Sequence, residues 1–237
     1  MLDVHPPHSP THTWKDFFIH IATITVGLLI AVGIEQTVEA AHAAHKRKQL
    51  RAALGRETQQ ILHDTHAVDV GEGQHMQWLH TVETQISTSA HMHQPVGPLP
   101  PEHNLPWDVP DNPIFVAAKA SGRLALLGDD ELVAYGEMDG LVKRIDTAYT
   151  HRSEARRAND SFMRSVNFDQ PDRDPLQSQL TLEQLREFHT RLVQMETATK
   201  DFRYWSRQAE GAATVMQSGE LDLTRIQHGE RMFDKNP

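Results

Sequence analysis

The chain of 237 residues contains no cysteine, which removes several kinds of chemistry at once. Disulfide bonds, zinc sites with cysteine ligands and thiol catalysis are all excluded. Aromatic residues are scarce at 6%, and the net charge of -9 argues against a nucleic-acid-binding protein, which needs a positive face. The sequence also lacks a P-loop, a dinucleotide-binding fingerprint and the G-x-S-x-G and H-E-x-x-H motifs. We therefore expect a protein that is not an enzyme.

Proline is missing from residues 14–94, and charged side chains are missing from residues 17–34. The second stretch reads FFIHIATITVGLLIAVGI, and a helix of that length is roughly 27 Å long at about 1.5 Å rise per residue. This matches the hydrocarbon core of a bilayer, and Trp14 lies where an interfacial aromatic ring is favoured. The sequence therefore predicts a transmembrane helix over residues 14–35, after a disordered tail at residues 1–13.

Two other interpretations of the apolar run remain open. It is a cleaved signal peptide if processing occurs at Ala41-His42-Ala43, which has the required small residues. However, the run is longer than a usual signal core, and this site lies nine residues beyond Ile34. It is a buried core helix if the protein is soluble, although the apolar segments of such helices are normally shorter.

The helical pattern continues beyond the run, because residues 39–62 are mostly strong helix formers. Core-type side chains then recur at roughly three- and four-residue spacing on one helix face: Leu50, Leu54, Ile61, Thr65 and Val68. We expect this helix to end near Val68, since Gly71-Glu72-Gly73 contains two weak helix formers. A second helical segment is expected to return over residues 75–89.

Seven prolines mark residues 94–113 as an irregular connection between helices. At its end, Asn112 is placed to cap a short helix with Pro113 at the first position. A long helix is expected over residues 131–166. On that helix, three arginines are expected to form a solvated face: Arg152, Arg156 and Arg157.

The last long helix is expected to begin after Thr181, whose capping box is completed by Gln184. No stretch of the sequence shows convincing strand alternation. The predicted fold class is therefore all-α, with one N-terminal transmembrane helix that extends into a long helix. An antiparallel helical bundle follows, and residues 36–237 form the extramembrane domain.

Two segments of the chain resemble a group of bacterial single-span membrane proteins that is known only as a domain of unknown function. The first is WKDFFIHIATITVGLLIAVGIEQ, and the second is FVAAKASGRLALLGDDELVAYGEM. The matching residues are Gly27, Leu28, Ile30, Ala31 and Ile34 in the span, and Ala118, Ser121, Gly122, Leu124 and Leu127 in the later motif. The resemblance implies a membrane-anchored helical domain and brings no known activity.

One face of the predicted span carries small and polar side chains at steps of three and four residues: His20, Thr23, Gly27, Ala31 and Glu35. Small residues allow the backbones of membrane helices to approach closely, and this is what favours their association in lipid. The stripe therefore predicts a homo-oligomer, or a pairing with another membrane protein, through the span. Alternatively, His20 and Glu35 reach the membrane interface from the helix ends, and the small residues have no partner.

The chain has 16 histidines, and two pairs lie one helical turn apart on the long helix: His42 with His45, and His63 with His66. Two imidazoles at this spacing can bind one divalent metal ion, although a closed site needs further ligands. Four histidines of the returning segment are candidates to supply them: His75, His80, His91 and His93. Histidine also titrates near pH 6.5, so pH sensing is an alternative. Exposed histidines without any such role are the third interpretation.

The charge distribution bears on orientation and function. Residues 36–56 have a net charge of +4 and residues 57–237 a net charge of -11. The positive-inside rule then places the helical body in the cytoplasm, with the basic stretch near anionic lipid headgroups. A periplasmic body stays open, because long domains can translocate regardless of charge. The predicted function is a membrane-anchored interaction or scaffold protein of a bacterial inner membrane; the alternative is a metal- or pH-responsive sensor.

Overall fold

A computed structural model describes residues 14–102, 108–166, 180–219 and 221–227 of the chain. Of these described residues 87% are helical and none lies in a β-strand, which confirms the all-α fold class. The chain divides into two compact units. We call residues 1–49 the N-terminal unit and residues 50–237 the bundle unit.

Helix α1, Trp14–Met92, supplies every described residue of the N-terminal unit. An 18-residue window of this helix has a mean hydropathy of 2.3, and none of that window is buried. At the start of the helix, the ring centroid of Trp14 lies 5.8 Å from that of Phe17 and 5.9 Å from that of Phe18. The predicted tail at residues 1–13 lies outside the described residues.

The expected break at Gly71-Glu72-Gly73 is wrong, because α1 runs through it without interruption. Buried positions continue at spacings of three and four through this stretch, so packing outweighs the cost of two helical glycines, about 1 kcal/mol each. Gly73 also has a packing role, since a side chain there would meet the guanidinium of Arg203 at 3.2 Å. Without a returning segment, His75, His80, His91 and His93 do not come back towards His63 and His66.

In the bundle unit, α1 packs with α3, Asp129–Val166, and α4, Leu182–Gln217. The pairs that join α1 to α3 keep a constant separation of 80 residues, as in Arg51 with Glu131 and Glu72 with Arg152. These two helices therefore run in the same direction. In the pairs that join α1 to α4, the residue number rises on α1 as it falls on α4, as in His66 with Glu210 and Glu83 with His189. Helix α4 therefore runs antiparallel to both α1 and α3.

The connection after α1 is long because it must return the chain to the start of the bundle before α3 can begin. Its described residues between Met92 and Pro113 are not helical, as the prolines predicted. The short helix α2, Pro113–Ala120, follows. Its buried Phe115 packs in a cluster with Leu50 and Leu54 at the opposite end of the bundle from Met92.

The N-terminal caps explain how two of the helices begin. At α4, Thr181 and Gln184 form the predicted capping box, with both hydrogen bonds present. At α2, Pro113 occupies the first turn as expected, but the Asn112 side chain makes no capping hydrogen bond and donates instead to Asp139 at 3.0 Å. The carboxylate of Glu57 on α1 accepts from the first free backbone N–H groups of α2 in its place, those of Ile114 and Phe115. A side chain that is distant in the sequence thus replaces the local cap.

The core of the bundle is built from the heptad-like positions of the three long helices. One cluster of buried side chains includes Ile61, Ile145 and Phe202, and a second includes Leu79 and Phe188. The short helix α5, Leu223–Gln227, adds Ile226 to the first cluster. Between the apolar layers, several core positions are polar, and these define the site described next.

Candidate functional site

A buried ion pair joins α1 to α3 in the middle of the bundle. The Nε atom of Arg152 donates to Oε2 of Glu72 at 2.9 Å, and the side chains are 6% and 0% exposed. Burial raises the pKa of the Glu72 carboxyl above its ordinary value, while the charges of Arg152, Arg156 and Arg203 act to lower it. Its other oxygen, Oε1, is buried and has no hydrogen-bond partner among the described residues. Removal of either partner of a buried ion pair destabilises the fold, because the remaining charge is then buried without compensation.

His75 lies one turn further along α1 and is 1% exposed. Its ring stacks on the indole of Trp78, with centroids 5.5 Å apart. Its Nδ1 lies 3.6 Å from Oε1 of Glu102, which is too far for a hydrogen bond. Burial, together with the charges of Arg152 and Arg156, lowers the pKa of His75 to about 4. The imidazole is therefore neutral near pH 7.

Residues 94–102, which we call the strap, lie along the surface of α1 above this layer. The strap runs antiparallel to α1, so that later residues of the strap contact earlier residues of the helix. Gln85 Nε2 donates to the carbonyl of Pro98 at 3.2 Å, and Trp78 Nε1 donates to the carbonyl of Pro100 at 2.8 Å. Four of the nine residues are proline, whose fixed φ reduces the entropy lost when the strap is ordered.

The strap begins and ends at two well-defined contacts. At its start, the backbone N–H of Gln94 donates to the carbonyl of Ser89 at 3.0 Å, and His93 has a left-handed φ of 54°. At its end, Glu102 forms an ion pair with Arg156 Nη2 at 3.1 Å. The strap therefore covers His75 and connects the end of α1 to α3.

The expectation that Arg152 belongs to a solvated face is wrong, since this side chain is buried against Glu72. Arg156 is half-exposed and pairs with Glu102, while Arg157 is exposed. A signal for the layer was present in the sequence: Glu72 and His75 continue the spacing of Leu54, Ile61 and Val68. Nothing in the sequence near Glu72 indicates that Arg152 on α3 is its partner, because the two residues are 80 positions apart.

The four histidines predicted as metal ligands are exposed on α1: His42, His45, His63 and His66. In the second pair, the rings have different neighbours. His63 Nδ1 lies 3.2 Å from Asp64, and His66 Nδ1 lies 2.8 Å from Glu210 of α4. Within the described residues, no group of three or more histidine, aspartate or glutamate side chains is arranged to hold a metal ion. The metal site stays a prediction.

The predicted interaction face of the span lies on an exposed part of α1: His20, Thr23, Gly27, Ala31 and Glu35. The hydroxyl of Thr23 donates to the carbonyl of Ile19 at 2.8 Å, so this polar group is satisfied within its own helix. A side chain added at Gly27 would meet nothing within 4 Å in this chain. The surface around Gly27 is thus open.

Comparisons with family models, with curated proteins and with solved structures found no match to the chain. The resemblance to a single-span bacterial family therefore stays a prediction. The residues of its second motif do have evident structural roles. Gly122 adopts a left-handed φ of 70° in the turn after α2, and the Ser121 hydroxyl bonds the Ala117 carbonyl at 2.8 Å. Ala118 is buried against Leu50 and Leu54, and Leu124 and Leu127 pack on the same cluster.

Proposed function

We propose that this protein is a single-pass membrane protein whose helical bundle serves as an interaction or scaffold module, without enzymatic activity, in a bacterial inner membrane. One observation carries the proposal: an apolar window of α1 long enough to cross a bilayer has none of its residues buried. The core helix of a soluble protein would be mostly buried. A long, mostly apolar helix surface that no other part of the protein covers is typical of a segment surrounded by lipid.

Fractionation of cells that express the full-length chain tests this placement. We expect the protein in the membrane pellet, retained through an alkaline carbonate wash and released only by detergent. Recovery in the soluble fraction without detergent would contradict the proposal. Sequencing of the mature N-terminus separates an anchor from a signal peptide, because cleavage after Ala43 would remove the run.

We further propose that the span associates through its small-residue face, either with a second copy or with another membrane protein. Replacement of Gly27 by leucine should then reduce crosslinked or sedimenting oligomers severalfold in mild detergent, because a large side chain prevents close backbone approach. Gly33 provides a matched control, since it is another open glycine of the run and lies on a different face. Equal losses for Gly27→Leu and Gly33→Leu, or no loss for either, would contradict pairing through this face.

The bundle is proposed to lie in the cytoplasm, on the strength of the basic residues that follow the span: Lys46, Arg47, Lys48 and Arg51. A C-terminal fusion to green fluorescent protein should fluoresce, and a fusion to alkaline phosphatase should be inactive. The opposite result would place the bundle in the periplasm.

A pH-responsive sensor is the second candidate function, and the observation that favours it is the buried, neutral His75. The metal-responsive form of this alternative depends on the two exposed histidine pairs. Titration of the full-length protein with zinc should then show tighter binding than a variant in which His42, His45, His63 and His66 are alanine. Equal binding would remove the metal-responsive form.

A further inference from the structure

The end of the strap lies beside His75, a buried imidazole that can accept a proton. His75 is almost wholly enclosed, with the indole of Trp78 against its ring and the carboxylate of Glu102 near its Nδ1. Trp78 and Glu102 are also the two residues by which the end of the strap is attached, through the Pro100 carbonyl and through Arg156. Departure of the end of the strap would release both of these neighbours from their contacts and open a path from water to this imidazole.

We infer that the strap, residues 94–102, is an acid-released latch in which separation of the strap from α1 lets His75 take up a proton. The released state then contains a hydrated imidazolium, and the closed state contains a neutral, enclosed imidazole. No other molecule is required, because the proton comes from solvent. The latch does not depend on whether α1 crosses a membrane.

The charges around His75 determine the direction of the effect. Arg152 and Arg156 face it from α3 and oppose a positive charge on the ring, and Arg203 of α4 acts on the neighbouring Glu72. Glu72 and Glu102 are the acidic groups nearby. Glu72 is held by Arg152 and Glu102 by Arg156, so neither is available solely to His75. The closed bundle therefore disfavours the protonated imidazole.

The pH window follows from proton linkage. Burial and the two arginines lower the pKa of His75 to about 4 in the closed state, and the ordinary value is 6.5. The stabilisation of the closed state is present above pH 6.5 and is lost as the pH falls from 6.5 towards 4. Between pH 7.5 and pH 5.5 the released fraction should rise about tenfold.

The absence of cysteine makes a direct test available. Val96 on the strap is 5% exposed, so a Val96→Cys variant of the full-length protein in detergent has one thiol that the strap protects. Its labelling rate by a dipyridyl disulfide, divided by the rate of free cysteine at the same pH, reports release. We expect this ratio to be about tenfold higher at pH 5.5 than at pH 7.5. A second probe, Val82→Cys on α1, reports opening of the whole bundle and should be labelled at least tenfold more slowly.

Variants at the latch separate it from general acid sensitivity. In the Val96→Cys background, His75→Phe keeps a ring against Trp78 but takes no proton, so the pH dependence should disappear; His75→Gln serves if the larger ring does not fit. His80→Gln, at an exposed position of α1, should leave the tenfold change intact. Glu102→Gln should raise labelling at both pH values, whereas Glu83→Gln, which removes an ion pair to His189 instead, should not.

Three results would overturn the inference. The first is equal labelling of the two probes, since the strap would then open only with the whole bundle. The second is a rate at position 96 that does not change, or falls, between pH 7.5 and pH 5.5. The third is a tenfold change that survives in both His75 variants.

Discussion

Replacement of Arg152 by methionine should lower the free energy of unfolding of the bundle by about 3–5 kcal/mol. The substitution keeps an unbranched side chain of similar length but leaves the carboxylate of Glu72 buried without its closest positive partner. Burial already raises the pKa of this carboxyl, so Glu72 should partly respond by taking up a proton. Denaturant titration of the full-length protein in mild detergent, followed by circular dichroism, measures the loss.

The double variant Glu72→Leu with Arg152→Met separates the energy of the pair from the cost of leaving one charge alone. Apolar side chains in place of both should restore stability to within about 1 kcal/mol of the original protein or better, because buried ion pairs are expensive to desolvate. Arg157→Met is the matched control, since this arginine is exposed on the same helix and should change stability by less than about 0.5 kcal/mol. If the loss for the double variant equals the sum of the losses for Arg152→Met and Glu72→Leu measured singly, the two side chains are not energetically coupled, which would contradict the prediction.

Replacement of Phe202 by alanine should have an effect of similar size, about 3–5 kcal/mol. The side chain is fully buried in the first core cluster, and its ring centroid lies 5.8 Å from that of Tyr149 on α3. Its loss leaves a cavity among closely packed helices, and the surrounding structure can only partly collapse around it. The same denaturant titration measures the effect.

Tyr204 supplies the control for Phe202 because it lies two residues away on the same helix and is 42% exposed. Tyr204→Ala should cost less than about 1 kcal/mol. If the two variants were equally damaging, the heptad register of α4 that places Phe202 inward would be incorrect. The pair thus tests which face of the helix is buried, and not only whether aromatic residues matter.

Local patterns in the sequence were sufficient for most of the helices. The spacing of Leu50, Leu54 and Ile61 predicted the buried face of α1, and the capping box at Thr181 and Gln184 predicted the start of α4. These features depend on residues within one or two turns of each other, so their physical chemistry is complete in a short stretch of chain. The long α3 was predicted for the same reason.

Local patterns failed wherever a distant residue changed the outcome. The two glycines that flank Glu72 are weak helix formers, but the packing of three helices holds α1 in helical form through them. Asn112 has the right position and chemistry for a cap, yet Glu57 reaches α2 from another helix and Asn112 turns to Asp139. In both cases a tertiary contact outweighed a local preference of about 1 kcal/mol.

The sequence by itself determined that the chain is helical, that residues 17–34 form an apolar segment of bilayer length and that core-type side chains recur at helical spacing. Composition and periodicity decide these properties, and both are local. Only the tertiary structure decided that α1 and α3 run in the same direction, that Glu72 meets Arg152 and that the strap covers His75. The partners in those contacts are up to 80 residues apart. Whether they meet depends on how the helices pack against each other, and the short-range propensities of the sequence do not determine that packing.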